Sequence, residues 1–246
     1  MRVACFTGSR LAPFAIAIGV LAGVASAQTA AELLDACRDE AQPAAQRTGA
    51  CTKVIEATGE AKVRAEAYLQ RGVLGEFAGD REAAVKDYTE SIKLDPANPL
   101  AYFNRGNAHD QLSQHDLAIA DYTEAIKLDP TEADFFNNRG QAYDSKGKHD
   151  LAIADYTEAI RLDGTSARPH YNRGLSYANK GDYKRAIVDF DEAIKLSPND
   201  ADLYVARGAA HEELGDAAAA KADYTRALRI DPDHEDAREG LSRLGG

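Results

Sequence analysis

The 246 residues contain no tryptophan, one methionine, three cysteines and only 7% aromatic residues. Without tryptophan the chain lacks the best stacking surface for a sugar ring, which counts modestly against a carbohydrate receptor. Cysteine is too sparse for a disulfide scaffold, and no CxxC pair supports catalytic thiol exchange. Positive charge is also short: 29 Lys and Arg face 40 Asp and Glu, a formal net charge of -11 that repels phosphate backbones and excludes nucleic acid as a natural partner. Glycine-rich phosphate loops and GxSxG elbows are missing. The six histidines, His109, His115, His149, His170, His211 and His234, form no short ligand motif with one another. No catalytic set, metal site or cofactor is therefore expected. With 44% apolar and 28% charged residues, there is still ample material for a core.

The longest apolar run, Leu11 to Val24, is interrupted by Pro13, Gly19 and Gly23 and is short of the roughly 20 residues that a membrane span needs. Arg2 and Arg10 precede it and Ala25-Ser26-Ala27 follow it. That order predicts a signal peptide over 1–27, cut before Gln28, with an uncleaved anchor as the other reading. Its removal would leave a net charge of -13, no integral membrane segment, and an exported protein, periplasmic or fully secreted. Removing Cys5 with it leaves Cys37 and Cys51 as an even pair in a compartment where disulfides persist. A bridge is expected; two separate buried thiols are the alternative, since spacing in sequence does not fix the distance between Cα atoms.

What the chain has in abundance is repetition. Arg-Gly recurs at Arg71-Gly72, Arg105-Gly106, Arg139-Gly140, Arg173-Gly174 and Arg207-Gly208, each 34 residues from the last. Twelve after each glycine stands Ala84, Ala118, Ala152, Ala186 or Ala220, and sixteen after it Tyr88, Tyr122, Tyr156, Phe190 or Tyr224. Pro96, Pro130, Pro198 and Pro232 close four copies, and Gly164 the third. Apolar positions such as Leu117, Ala118, Ala125, Ile126 and Leu128 fall at helical spacing and stop at a proline, which pushes the residue before it out of the α region. Asn98 and Pro99 make a helix start, and Gly79, Ser113, Gly147, Gly181 and Gly215 mark the turn between paired helices. A mid-helix glycine costs about 1 kcal/mol relative to alanine, so its presence in all five copies predicts close backbone approach. We expect Gly106 to face Ala118, with Tyr102 and Tyr122 beside that contact.

These offsets resemble the tetratricopeptide repeat family over about 65–234, departing from it in having no tryptophan four before the glycine and arginine where leucine is usual. The resemblance implies an all-α fold, a right-handed α-solenoid of stacked antiparallel helix hairpins. The repeats are expected at 65–98, 99–132, 133–166, 167–200 and 201–234. A degenerate leading hairpin would occupy 28–64, stapled by Cys37 and Cys51, and a capping helix 235–246; end units, having one neighbour, need such support.

Sixteen residues after each arginine comes an aspartate, giving the pairs Arg71 with Asp87, Arg105 with Asp121, Arg139 with Asp155, Arg173 with Asp189 and Arg207 with Asp223. The expected role is a structural ladder of ion pairs within or between hairpins; a row of arginines gripping an anion is the alternative. Mapping the family's groove positions gives Phe77, Phe103, Asn104, Asn107, Asp110, Asn138, Gln141, Tyr171 and Asn172 as partner-binding candidates. Asn104, Asn138 and Asn172 would form an amide row able to hold an extended peptide through its backbone. Glu76, Asp134, Asp144, Asp202 and Glu212 add acidity to the same wall, which implies a protein or peptide partner that is basic or mixed in charge with apolar anchors. The expected function is a non-catalytic scaffold or adaptor in a cell-envelope, secretion or assembly process. A small-ligand or cell-wall-glycan binder using the same groove is the alternative.

Overall fold

The computed structural model describes residues 31–57 and 59–245. The leader expected over 1–27 lies outside the described residues. Among those described there are helices and turns and no strand. A helix over residues 31–38 (α1) pairs with α2 (Ala44–Ala57). Five further hairpins follow: α3 (Ala61–Phe77) with α4 (Arg81–Leu94), α5 (Pro99–Gln111) with α6 (His115–Leu128), α7 (Ala133–Ser145) with α8 (His149–Leu162), α9 (Ala167–Asn179) with α10 (Tyr183–Leu196), and α11 (Ala201–Glu213) with α12 (Ala217–Ile230). A short α13 (Glu235–Arg243) ends the array.

Local chemistry sets these boundaries. Asn98 accepts a hydrogen bond from the Leu100 N–H at 3.0 Å while Pro99 fills the first helical position. Ser113, the one non-glycine among the interhelical turn residues, adopts φ 59°, where its counterparts are glycines at 69–84°. In the third copy, which lacks the proline, Asp163 ends α8 by accepting from both the N–H (2.9 Å) and the hydroxyl (2.6 Å) of Thr165. One boundary differs from expectation: α3 starts at Ala61, four residues ahead of 65, because Ala61 to Arg64 contain neither proline nor glycine to stop the helix.

Within each hairpin the glycine meets the aromatic ring of the second helix, not the alanine. A Cβ on Gly106 would sit 2.7 Å from Tyr122 Cε1, and Gly72, Gly140, Gly174 and Gly208 stand likewise against Tyr88, Tyr156, Phe190 and Tyr224. This corrects the expected pairing of Gly106 with Ala118. A flat ring needs a flat backbone surface beneath it, and the buried Ala118 packs elsewhere in the same cluster.

Each helix packs on its chain neighbours, and first helices of successive hairpins also touch, α3 with α5, α5 with α7, α7 with α9 and α9 with α11. Successive second helices make no such contact. First helices thus crowd onto one side and second helices splay apart on the other, which bends the stack into an inner, concave wall and an outer, cleft one.

Candidate partner-binding groove

The wall of first helices is held in shape by a repeated polar rung. Arg105 Nε donates to Asp121 Oδ2 at 2.8 Å and Arg105 Nη2 to Asp121 Oδ1 at 2.7 Å, a bidentate pair across one hairpin. Its third nitrogen, Nη1, reaches back 3.1 Å to the Thr89 hydroxyl on the preceding hairpin. Arg71 uses Thr52, Arg139 uses Thr123 and Arg173 uses Thr157 in the same way, each with its own aspartate. Arg207 binds Asp223 and, in the register of the threonines, Asp191 at 2.5 Å. Hydrogen bonding to the aspartate outweighs burial and raises the pKa of all five guanidiniums. These arginines are therefore committed within the fold. The threonines are a column that the arginine and aspartate spacing did not bring to notice, although Thr89, Thr123 and Thr157 are one period apart, Asp191 and Thr225 continue the register, and only Thr52 stands off it.

On the concave side the buried tyrosines point their hydroxyls at the groove. Tyr88 donates to Glu76 at 2.5 Å, Tyr156 to Asp144 at 3.1 Å and Tyr224 to Glu212 at 2.8 Å; Tyr122 donates to Asn107 at 2.8 Å. Burial above all pushes these phenols up, and that of Tyr224 reaches about 12. Burial likewise raises Glu76 against the opposing hydrogen bond from Tyr88. In the fourth copy both partners vanish together, Phe190 replacing the tyrosine and Ala178 the acid. Asp110 is bonded to His115 at 2.7 Å and Asp144 to His149 at 2.9 Å.

The expected amide row is not presented as a row. Asn172 is buried and donates to Asn137 Oδ1 at 3.0 Å; Asn137 donates to Asn138 Oδ1 at 3.0 Å; Asn138 donates to Asn107 Oδ1 at 2.9 Å. Asn137, adjacent in the third copy, captures the amides and turns them into an interhelical chain. Phe103 packs on Phe135 at a centroid distance of 4.8 Å and Tyr171 on Phe190 at 6.0 Å, so both rings belong partly to the core. Asn104, by contrast, makes no side-chain hydrogen bond among the described residues and lines a hollow of about 350 Å³ with Val73, Glu76, Phe77, Asn107 and Gln111. Phe77 is 87% exposed there. Gln141 is exposed on the same face farther along. The structure thus gathers Phe77, Asn104 and Asn107 at the N-terminal end of the groove and leaves Asp110, Gln141, Tyr171 and the buried Asn172 apart from it.

Family models described as tetratricopeptide repeat or TPR repeat match residues 99–132 and 167–200, 78–113 and 142–181, 121–154, and 201–234. Together they run unbroken from 78 to 234, more than half of the chain. The chain belongs to the tetratricopeptide repeat family. Its architecture is accordingly the all-α, right-handed superhelix of stacked hairpins, and its general role is that of a protein-interaction scaffold. No curated protein matches the TPR chain. Among solved structures, MamA is 25% identical with a TM-score of 0.63, covering 65% of this chain and 94% of its own. YrrB, described as a TPR protein with an unusual peptide-binding site, is 22% identical (TM-score 0.66, 79% and 99% covered). Pseudomonas aeruginosa pilF is 15% identical (TM-score 0.74, 89% and 99% covered); it and YrrB show the fold alone. No helix among the described residues is long and apolar enough to cross a membrane.

Proposed function

We propose that this TPR array is a non-catalytic scaffold, exported to the periplasm, that holds a peptide segment of basic or mixed charge at the N-terminal end of its concave face. The observation that carries this reading is Phe77, a large apolar side chain 87% exposed beside an otherwise unbonded Asn104 and the acid Glu76. An exposed aromatic, a free amide and a carboxylate together match an apolar anchor, a peptide backbone and a cation. YrrB, whose description names a peptide-binding site, shares the fold. The leader features at Arg2, Arg10 and Ala25 to Ala27 support export.

The experiment is affinity capture from envelope extract followed by direct binding of the retained protein to wild type, Phe77→Ala and Asn104→Ala. Both variants should weaken binding about tenfold or more, the order of 1–2 kcal/mol for a contact at the centre of an interface, with thermal unfolding unchanged. Rising salt should weaken wild-type binding further. Unaltered affinity in both variants moves the site away from this end of the groove.

A further inference from the structure

A second hollow, of about 570 Å³, lies on the opposite side of α3 from the groove, in the outer cleft between α2 and α4. Tyr68, Arg71 and Gly75 face it from α3, Ala78 from the turn that follows, and Ala83, Lys86 and Asp87 from α4, with Thr48 of α2 at its rim. The array itself shows what fills this place elsewhere. One, two, three and four periods after Gly75 stand His109, Tyr143, Tyr177 and His211. Ala78 corresponds to Leu112, Lys146, Lys180 and Leu214, and Ala83 to Leu117, Leu151, Arg185 and Ala219. At two later junctions the cleft is also bridged by ion pairs, Lys146 with Asp116 and Lys180 with Asp150; at the first junction both counterparts are missing, because Ala78 and Thr48 occupy their places.

Packing does not require these truncations. A Cβ on Gly72 would strike the Tyr88 ring at 2.5 Å, whereas one on Gly75 would meet nothing closer than 3.5 Å. Gly75 therefore weakens α3 and empties a ring-sized space with no steric reason inside the chain. Of the cations beside the later rings one position is kept, that of Arg139, as Arg71; those of Lys148 and Arg185 are Asp80 and Ala83. Tyr143 lies 5.9 Å from Arg139 and 6.0 Å from Lys148, and Tyr177 4.4 Å from Arg185; the empty copy retains Arg71 and adds Lys86, where the later copies have Ala120, Ala154, Val188 and Ala222.

We infer that this hollow receives a tyrosine side chain from a partner polypeptide, which occupies the place of the missing ring and stacks against Arg71 and Lys86. The inference rests on the scaffold reading but not on the groove, since it concerns the opposite face of α3.

The test is titration of the full-length protein with N-acetyl-tyrosinamide, followed by backbone amide shifts. Saturable shifts are expected at Gly75, Ala84 and Lys86, with Asn104 and Gln111 in the groove unmoved. N-acetyl-leucinamide should bind about tenfold more weakly, lacking a face for the cations. Gly75→Tyr and Ala83→Leu, which copy Tyr143 and Leu117, should abolish the shifts, while Gly75→Ala keeps them. If Gly75→Tyr perturbs folding, Ala83→Leu still decides. Absence of saturable shifts, equal binding of the leucine analogue, or persistence of the shifts in Ala83→Leu overturns the inference. Movement of Asn104 alone would favour the groove and overturn the second site.

Discussion

At the scale of single residues, glycine does two opposite things in one helix. Gly106 and its counterparts are demanded by a ring lying flat on the backbone, with Tyr122 2.7 Å from where a Cβ would be. Gly106→Ala should therefore lower stability by about 1–3 kcal/mol, the usual range for forcing an extra methyl into a filled core, as read from urea unfolding. An unchanged midpoint would show that the ring shifts freely. The sequence marked these glycines as close contacts but named the wrong partner. An alanine and an aromatic occur at neighbouring offsets, and spacing along a helix does not say which of two side chains leans across. The groove amides failed for a related reason. Position alone places Asn138 and Asn172 toward the groove, but the buried Asn137 next to them has to be given hydrogen-bond partners, and the amides turn inward to supply them at 3.0 Å. Phe77 and Asn104 stay open to the groove, as their positions suggested, because no neighbour engages them in this way; Asn107 keeps a place at the rim while accepting from Tyr122 and Asn138.

At the scale of elements, the hairpins were legible almost whole, since small residues, rings and helix stops recur at fixed offsets that one pairing geometry satisfies. The leading hairpin is the exception, and its chemistry differs in kind. One period before Arg71 stands Cys37, and one period before Asp87 stands Lys53, so the rung is absent there. Instead Cys37 and Cys51 are bonded, both fully buried with Cα atoms 4.9 Å apart, and join α1 to α2 covalently where the other units rely on an ion pair. A bridge over a sequence separation of 14 constrains the unfolded hairpin by about 3 kcal/mol. Reduction, or Cys37→Ser with Cys51→Ser, should accelerate amide exchange in α1 and α2 while leaving α7 to α10 protected. Uniform acceleration along the chain would mean that the staple supports the entire array.

At the scale of the whole molecule, stability is a sum over neighbours, because each unit touches only the next. The rungs carry part of that coupling, and the one at Asp189 makes it depend on pH. Burial pushes the Asp189 carboxyl up, but the paired hydrogen bonds from Arg173, with the His170 ring nitrogen 3.5 Å away, outweigh it and hold the group below its ordinary 3.8. A depressed carboxylate contributes stability that is present above its unfolded value and lost as pH falls through the folded one. Asp189→Asn should thus cost stability at pH 6, by about 3–5 kcal/mol for an orphaned buried arginine, and the gap from wild type should narrow below about pH 4. A gap that does not change with pH would assign the cost to packing.

The backward reach of each arginine also fixes what the gene can do. Each of the five repeats brings its own arginine and aspartate, and the first four supply a hydroxyl or carboxylate to their successors, so excising 34 residues among them rejoins each guanidinium to a complete set of acceptors. Excision of a length that is not a multiple of 34 strands an arginine beside the wrong side chain. At the far end Leu241 stands where a sixth arginine would fall, and Thr225 bonds only its own helix at the Lys221 carbonyl. The array can lengthen or shorten by whole units in evolution, and a tandem duplication would enter upstream of that leucine rather than after it.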